Sequence, residues 1–300
     1  MRTLIRFNAL RALIGTLAAV CMPPLNAFAL DSPVGLAVSG DIGHADNPGG
    51  STQVFSPPLT YWAEQSQPVY SGDLTGNIHE NWHDSATPHA SASASSRAFF
   101  GDLGVYASAW VGDAPSNVWW QANATATATF NDVWHVDAGI ANGSVGWLSV
   151  TVALDGSHTA SPDNSQTLRL NLYNNYGIGF NSDSLTDKWS GVFVLNVPFK
   201  FGPSFNNNMS MQLIGGAGAH NDSGGPSTSS LVDFYNSAKI TDLSFSSNGA
   251  EITSYTLTAD SGHIYASVPE PETWAMLLAG LGLLGLKTHR ASAVEGTSMG

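Results

Sequence analysis

Hydrophobic and polar positions along this chain alternate with a period of two, and no stretch between residues 30 and 267 shows a convincing period of 3.6. The clearest stripe lies at 192–201, where Phe193, Leu195, Val197, Phe199 and Phe201 fall on one face of an extended backbone. Only a buried sheet face accommodates such a stripe. Residues 147–154 set Leu148, Val150, Val152 and Leu154 on one face, and Asp155-Gly156-Ser157 turns the chain after them. The strict Ala-Thr alternation of 124–129 puts threonines on one side of a strand and alanines on the other. Runs at 99–110, 118–130, 133–137, 168–173, 209–214, 231–235, 239–245, 252–257 and 263–266 complete roughly ten to twelve short strands between Gly, Asn, Asp and Ser turns. The pattern predicts an all-β fold, an antiparallel β-sandwich of jelly-roll type, in which each strand buries one face between two sheets. Residues 30–90 read as an irregular lead-in with a few strands, one of them at 34–38, ahead of a sandwich body at 91–267.

Both ends of the chain depart from this pattern. Arg2, Arg6 and Arg11 precede an apolar run at 12–22, and Ala27-Phe28-Ala29 supplies the small residues a signal peptidase reads. Residues 1–29 are therefore expected to be a secretory signal peptide, cut after Ala29. Cys21, the single cysteine, leaves with it, so the mature chain is expected to hold neither disulfide nor thiolate zinc ligand. At the other end, Val-Pro-Glu-Pro-Glu-Thr-Trp at 268–274 leads into an uncharged run to residue 286, closed by Lys287 and Arg290. That order suits a positive-inside membrane stop, yet the run is shorter than the about 20 residues of a stable span. A short hydrophobic helix, held in the membrane until something upstream is cut, is the expectation.

Pro269, Glu270 and Pro271, a short spacer, a Gly- and Leu-rich helix and a basic end resemble the PEP-CTERM sorting domain of exported proteins in Gram-negative, exopolysaccharide-making bacteria. The resemblance covers 268–290, with 291–300 as a tail beyond the family's usual end. It implies that Pro269-Glu270-Pro271 is the recognition point for a membrane protease-transpeptidase, exosortase. It also implies transient inner-membrane anchoring by the C-terminus, then delivery to the cell surface or the extracellular polysaccharide matrix. The block at 91–156 loosely resembles bodies found upstream of such signals, most of which have no assigned activity.

Charge narrows the partners of the body. Residues 30–268 hold five basic against twenty acidic side chains, a net charge near −15, so nucleic acid and anionic lipid are repelled. Charged residues make up only 11% of the chain, which leaves its surface to neutral polar groups.

Four patterns bear on chemistry. His79-Glu80-Asn81-Trp82-His83 fits H-E-x-x-H, and His89 stands where metzincin proteases place a third zinc ligand. On a helix the two histidines would share a face and Glu80 would act as base toward metal-bound water. Glycines before the motif, Ala86 where that pattern wants glycine, and Pro88 next to His89 argue instead for histidines on a polar surface loop. Gly280-Leu281-Gly282-Leu283-Leu284-Gly285 fits a dinucleotide fingerprint but lies inside the hydrophobic segment, where its glycines serve close helix packing. Trp119 and Trp120 face opposite ways on any strand, so one belongs to the core and the other is a candidate for sugar stacking. The Asp- and Asn-rich turns at 155–164 and 181–187 offer oxygen ligands for a structural Ca²⁺, although turn chemistry accounts for them.

The sequence therefore predicts an exported, non-enzymatic surface or matrix protein without a resident cofactor. A carbohydrate-binding module and an H-E-x-x-H zinc protease are the alternatives.

Overall fold

A computed structural model describes residues 34–48, 54–65, 73–84, 87–116, 118–181, 189–221 and 224–265. The expected signal peptide at 1–29 and the expected C-terminal hydrophobic helix, with Pro269, Glu270 and Pro271, lie outside the described residues. The described residues up to His263 belong to one compact unit; of a second unit that begins at Ile264, only Ile264 and Tyr265 are described. Among the described residues no helix is long and apolar enough to cross a membrane.

Among the described residues fifteen strands build two antiparallel sheets. In chain order they are β1 (Gly35–Pro48), β2 (Val54–Gln65), β3 (Leu74–Asp84), β4 (Thr87–Phe99), β5 (Asp102–Val111), β6 (Val118–Asp137), β7 (Val145–Leu154) and β8 (Ser157–Ala160). They continue as β9 (Ser165–Asn174), β10 (Gly177–Asn181), β11 (Gly191–Lys200), β12 (Gly202–Asn221), β13 (Thr228–Ser247), β14 (Ala250–Ile252) and β15 (Thr256–Ala259). One sheet runs β10-β9-β12-β6-β1-β2 with β15 beside β6; the other runs β11-β7-β13-β5-β4-β3 with β8 and β14 beside β13. The all-β, antiparallel sandwich expected from the alternation is the fold.

The inner faces explain the thickness of the sandwich. Ala122, Ala124, Ala126 and Ala128 of β6 face Ala90, Ala92, Ala94 and Ala98 of β4, all of them buried, and Cα atoms of the two strands come within 8 Å. Small side chains let the sheets approach closer than the about 10 Å usual between stacked sheets. Beneath β11 and β7 the space is filled by rings instead. Phe199, Phe201 and Phe245 lie 5.3 to 6.0 Å apart in edge-on pairs, and Tyr255 packs 4.6 Å from Phe245. This is the stripe of 192–201, with Leu195, Val197, Phe199 and Phe201 fully buried.

Several expectations are corrected. The described part of 30–90 is regular sheet and not an irregular lead-in with a few strands: β1 and β2 complete one sheet, and β3 and the start of β4 lie at the edge of the other. Their Gly, Pro and Asn residues resemble turn signals, but Pro57 and Pro58 sit in edge strand β2, where a missing N–H breaks no inner ladder. The runs at 118–130 and 133–137 are one twenty-residue strand, β6. Those at 231–235 and 239–245 merge into β13 through a bulge between Phe234 and Ala238. Opposite that bulge a Cβ on Gly104 would lie 1.7 Å from the Tyr235 carbonyl oxygen, so only glycine fits there. Residues 263–265 form no strand.

At the far edge Tyr61 of β2 crosses to the other sheet. Its ring lies between Gly40 of β1 and Gly76 of β3, and its hydroxyl meets Ser96 Oγ at 2.7 Å. Ser96 in turn donates to the Ser39 carbonyl at 3.2 Å. Burial pushes the Tyr61 phenol up to about 12, so it stays protonated in this seam.

Candidate functional site

The H-E-x-x-H motif lies on β3, neither on a helix nor on a loop. Extended backbone carries His79 and His83 about 13 Å apart, both exposed, with half-buried Glu80 on the opposite face. Asn81 Nδ2 donates to His79 Nε2 at 3.0 Å. The two histidines cannot share an ion in that geometry, and His89 does not join them.

His89 instead meets two residues that carry no motif. Its Nε2 lies 3.2 Å from His44 Nε2, and one ligand atom each from His44, Asp46 and His89 all lie within 4.8 Å of one another. Among the described residues this is the one such group of metal-ligating side chains.

Two irregularities aim these side chains. Along β4 the buried positions are Ala90, Ala92, Ala94, Ser96 and Ala98, so His89 belongs by parity to the outer face. Trp82 pairs with Ala90 and His83 with Pro88, leaving His89 as an extra residue on β4. That bulge turns its ring inward, to 7% exposure. Gly112 N–H donates to the His89 carbonyl at 2.8 Å, and Asn221 Nδ2 donates to the Gly112 carbonyl, so the bulge is held from β6's side of the sandwich as well. On β1, Ile42 pairs with Leu59 and His44 with Ser56, so β2 carries the extra residue there. His44 and Asp46, two apart, share the inner face of β1.

Indoles close the cluster. Trp82 stacks on His44 at 5.0 Å and 17°, and Trp120 leans over His89 at 4.8 Å. Trp120 is thus the inward member of the Trp119-Trp120 pair, 8% exposed, and Trp119 is half-buried. Burial, then the neighbouring His89 ring, holds His44 down to about 4, so its imidazole is neutral at neutral pH. Asp46 Oδ1 is buried without a hydrogen-bond partner among the described residues.

Among the described residues the Asp-rich turn at 155–164 brings no group of three metal-ligating side chains together. Asn164 is used structurally: its Nδ2 donates to the Ser229 carbonyl at 2.8 Å and its Oδ1 accepts from His220 N at 3.1 Å. Residues 182–187 lie outside the described residues.

A second feature lies on the outer face of β7. Trp147 is 55% exposed, flanked across the sheet by Pro198 of β11 and Ser246 of β13. One step along stand Ser244, Ser149 and Asn196, with Ser149 Oγ donating to Asn196 Oδ1 at 2.5 Å. Sequence reading did not single out Trp147; an outward aromatic in the 147–154 alternation was the available signal.

Comparison with known proteins adds one family. Residues 267–291 match the PEP-CTERM protein-sorting motif. The chain carries that motif, which implies an exported protein, transiently anchored at its C-terminus and processed by an exosortase. No curated protein matches the chain. A structure solved in work on promiscuous specificity in carbohydrate-binding modules of the beta-sandwich superfamily is similar at 9% identity over 66% of this chain and 85% of that chain. Its TM-score is 0.14, a level at which the likeness carries no argument.

Proposed function

We infer, for a chain bearing a PEP-CTERM sorting motif at residues 267–291, that the protein is a non-enzymatic component of the cell surface or exopolysaccharide matrix of a Gram-negative bacterium. The motif is the observation that carries this reading. Export through residues 1–29, a temporary hold by the run ending at residue 286 and cutting near Pro269-Glu270-Pro271 form one route to the outside. A body with few charges and a neutral polar surface suits a hydrated polysaccharide setting. Against the zinc-protease alternative stands β3, whose extended backbone separates His79 from His83 and removes the zincin geometry.

Mass spectrometry of the mature C-terminus in cells tests the route. The wild-type chain should lack the residues after the motif and leave the inner membrane. A Pro269→Ala/Glu270→Ala/Pro271→Ala variant should keep its C-terminus and stay membrane-bound. Full-length chain in the cytosol with residues 1–29 attached would overturn the proposal.

One observation favours carbohydrate binding as the body's task. The exposed Trp147 indole, with Ser149, Ser244, Ser246 and Asn196 around it, pairs an aromatic face with hydroxyl and amide groups, the combination that recognises a sugar ring. Affinity electrophoresis in the host's exopolysaccharide should show retardation that Trp147→Ala abolishes and Trp119→Ala preserves. Equal mobility of wild type and Trp147→Ala would remove this reading.

A further inference from the structure

We propose that His44, Asp46 and His89 form a buried site for one divalent transition-metal ion of zinc type, which clasps the two sheets together. His44 and Asp46 come from β1 of one sheet and His89 from β4 of the other, so an ion bound by all three ties the sandwich across its interior.

The spacing suits such an ion. Two nitrogens each about 2.0–2.1 Å from a tetrahedral centre lie roughly 3.3 Å apart, and the two Nε2 atoms are 3.2 Å apart. The same separation allows one imidazole to donate to the other, and that is the arrangement the experiment must exclude. The carboxylate distinguishes them. A hydrogen bond between the rings leaves the buried Asp46 Oδ1 without a donor among the described residues, whereas an ion supplies its missing counter-charge.

The donor set selects the class of metal. Two borderline imidazole nitrogens beside one hard carboxylate suit zinc, copper or nickel better than calcium or magnesium, which take all-oxygen shells. Trp82 and Trp120 cover the cluster and limit exchange with water, as expected for a structural ion. A β-bulge that reverses the parity of His89 brings a large polar ring into a face otherwise lined by alanines and Ser96, which packing alone does not require.

The full-length chain, stripped with chelator and dialysed against limiting Zn²⁺, tests the site by metal analysis. One zinc per chain is expected. His44→Ala and His89→Ala should abolish retention, and a His79→Ala/His83→Ala control should keep it. Asp46→Asn, which preserves shape, should weaken affinity at least about tenfold and guards against variants that fail to fold. Zinc should also raise the urea midpoint of wild type more than that of Asp46→Asn. Cu²⁺ should quench tryptophan fluorescence, given the indoles beside both imidazoles. Folded wild type that retains no zinc overturns the proposal, as does retention unchanged by Asp46→Asn. Loss of zinc only in the His79/His83 control would mark surface binding and overturn it equally.

Discussion

Gly76→Ala should destabilise the sandwich by about 2 kcal/mol, and only while Tyr61 is present. An ideal Cβ on Gly76 would lie 2.1 Å from Tyr61 Cε2, against the ~3.5–4.0 Å of a normal carbon contact. The ring has little room to slide, because its other edge already packs against Gly40, where an ideal Cβ would lie 2.2 Å from Cε1. It must leave the slot, losing the 2.7 Å hydrogen bond to Ser96, worth about 1 kcal/mol, and about 1–2 kcal/mol of ring burial. Replacing a strand glycine by alanine recovers roughly 0.5–1 kcal/mol, which sets the net cost near 2. Urea unfolding of wild type, Gly76→Ala, Tyr61→Ala and the double variant closes a cycle. The coupling expected is about 2–3 kcal/mol, with Gly76→Ala neutral or slightly stabilising once the ring is gone. An equal cost of Gly76→Ala in both backgrounds would refute the slot.

Two further outcomes follow from buried polar groups. Asp132 is fully buried and accepts from Val133 N at 2.8 Å, Ser261 N at 3.0 Å and the Ser261 hydroxyl, so Asp132→Ala should cost about 3 kcal/mol or more in urea unfolding. Asp132→Asn keeps the acceptor oxygen and should cost about 1 kcal/mol; similar losses in the two variants would count against the network. His263, packed against Phe99 and Phe100, has its pKa lowered by burial, with Asp132 opposing. The unfolded chain, near 6.5, then binds a proton first, so this contribution is present above that pH and is lost as pH falls through the folded value. Across pH 8 to 5, wild type should therefore lose more stability than His263→Gln, and parallel curves would refute the assignment.

How much was legible depended on whether a strand kept its register. β7 and β11 pair without interruption over their ten residues, so the period of two at 147–154 and 192–201 translated directly into buried and exposed faces. β4 is just as regular from Ala90 to Ala94, but alanine against serine gives weak hydrophobic contrast. β1 and β3 carry Gly40, Gly43 and Gly76, which local rules assign to turns. Gly40 and Gly76 are there for a ring from a neighbouring strand, a long-range reason that no window of sequence contains. The C-terminal motif was readable because its meaning is linear: a tripeptide, a spacer, a greasy run and a basic end are recognised in order along the chain.

The histidine cluster marks the opposite case. H-E-x-x-H drew notice because its spacing has a meaning on a helix, and β3 removed that meaning by stretching the same five residues. His44-Ala45-Asp46 has a meaning on a strand, since positions two apart share a face, but a pair of polar residues facing inward reads as a surface face until the register is known. His89 is the harder member, because its parity along β4 points outward and only the unpaired position between Trp82 and His83 reverses it. A bulge costs a ladder hydrogen bond and interrupts the alternation, so sequence reading loses the strand at the same residue where the fold places a side chain on purpose. Inward polar residues at such interruptions, on strands from different sheets, are therefore the positions to inspect first when a β-sandwich carries no catalytic motif.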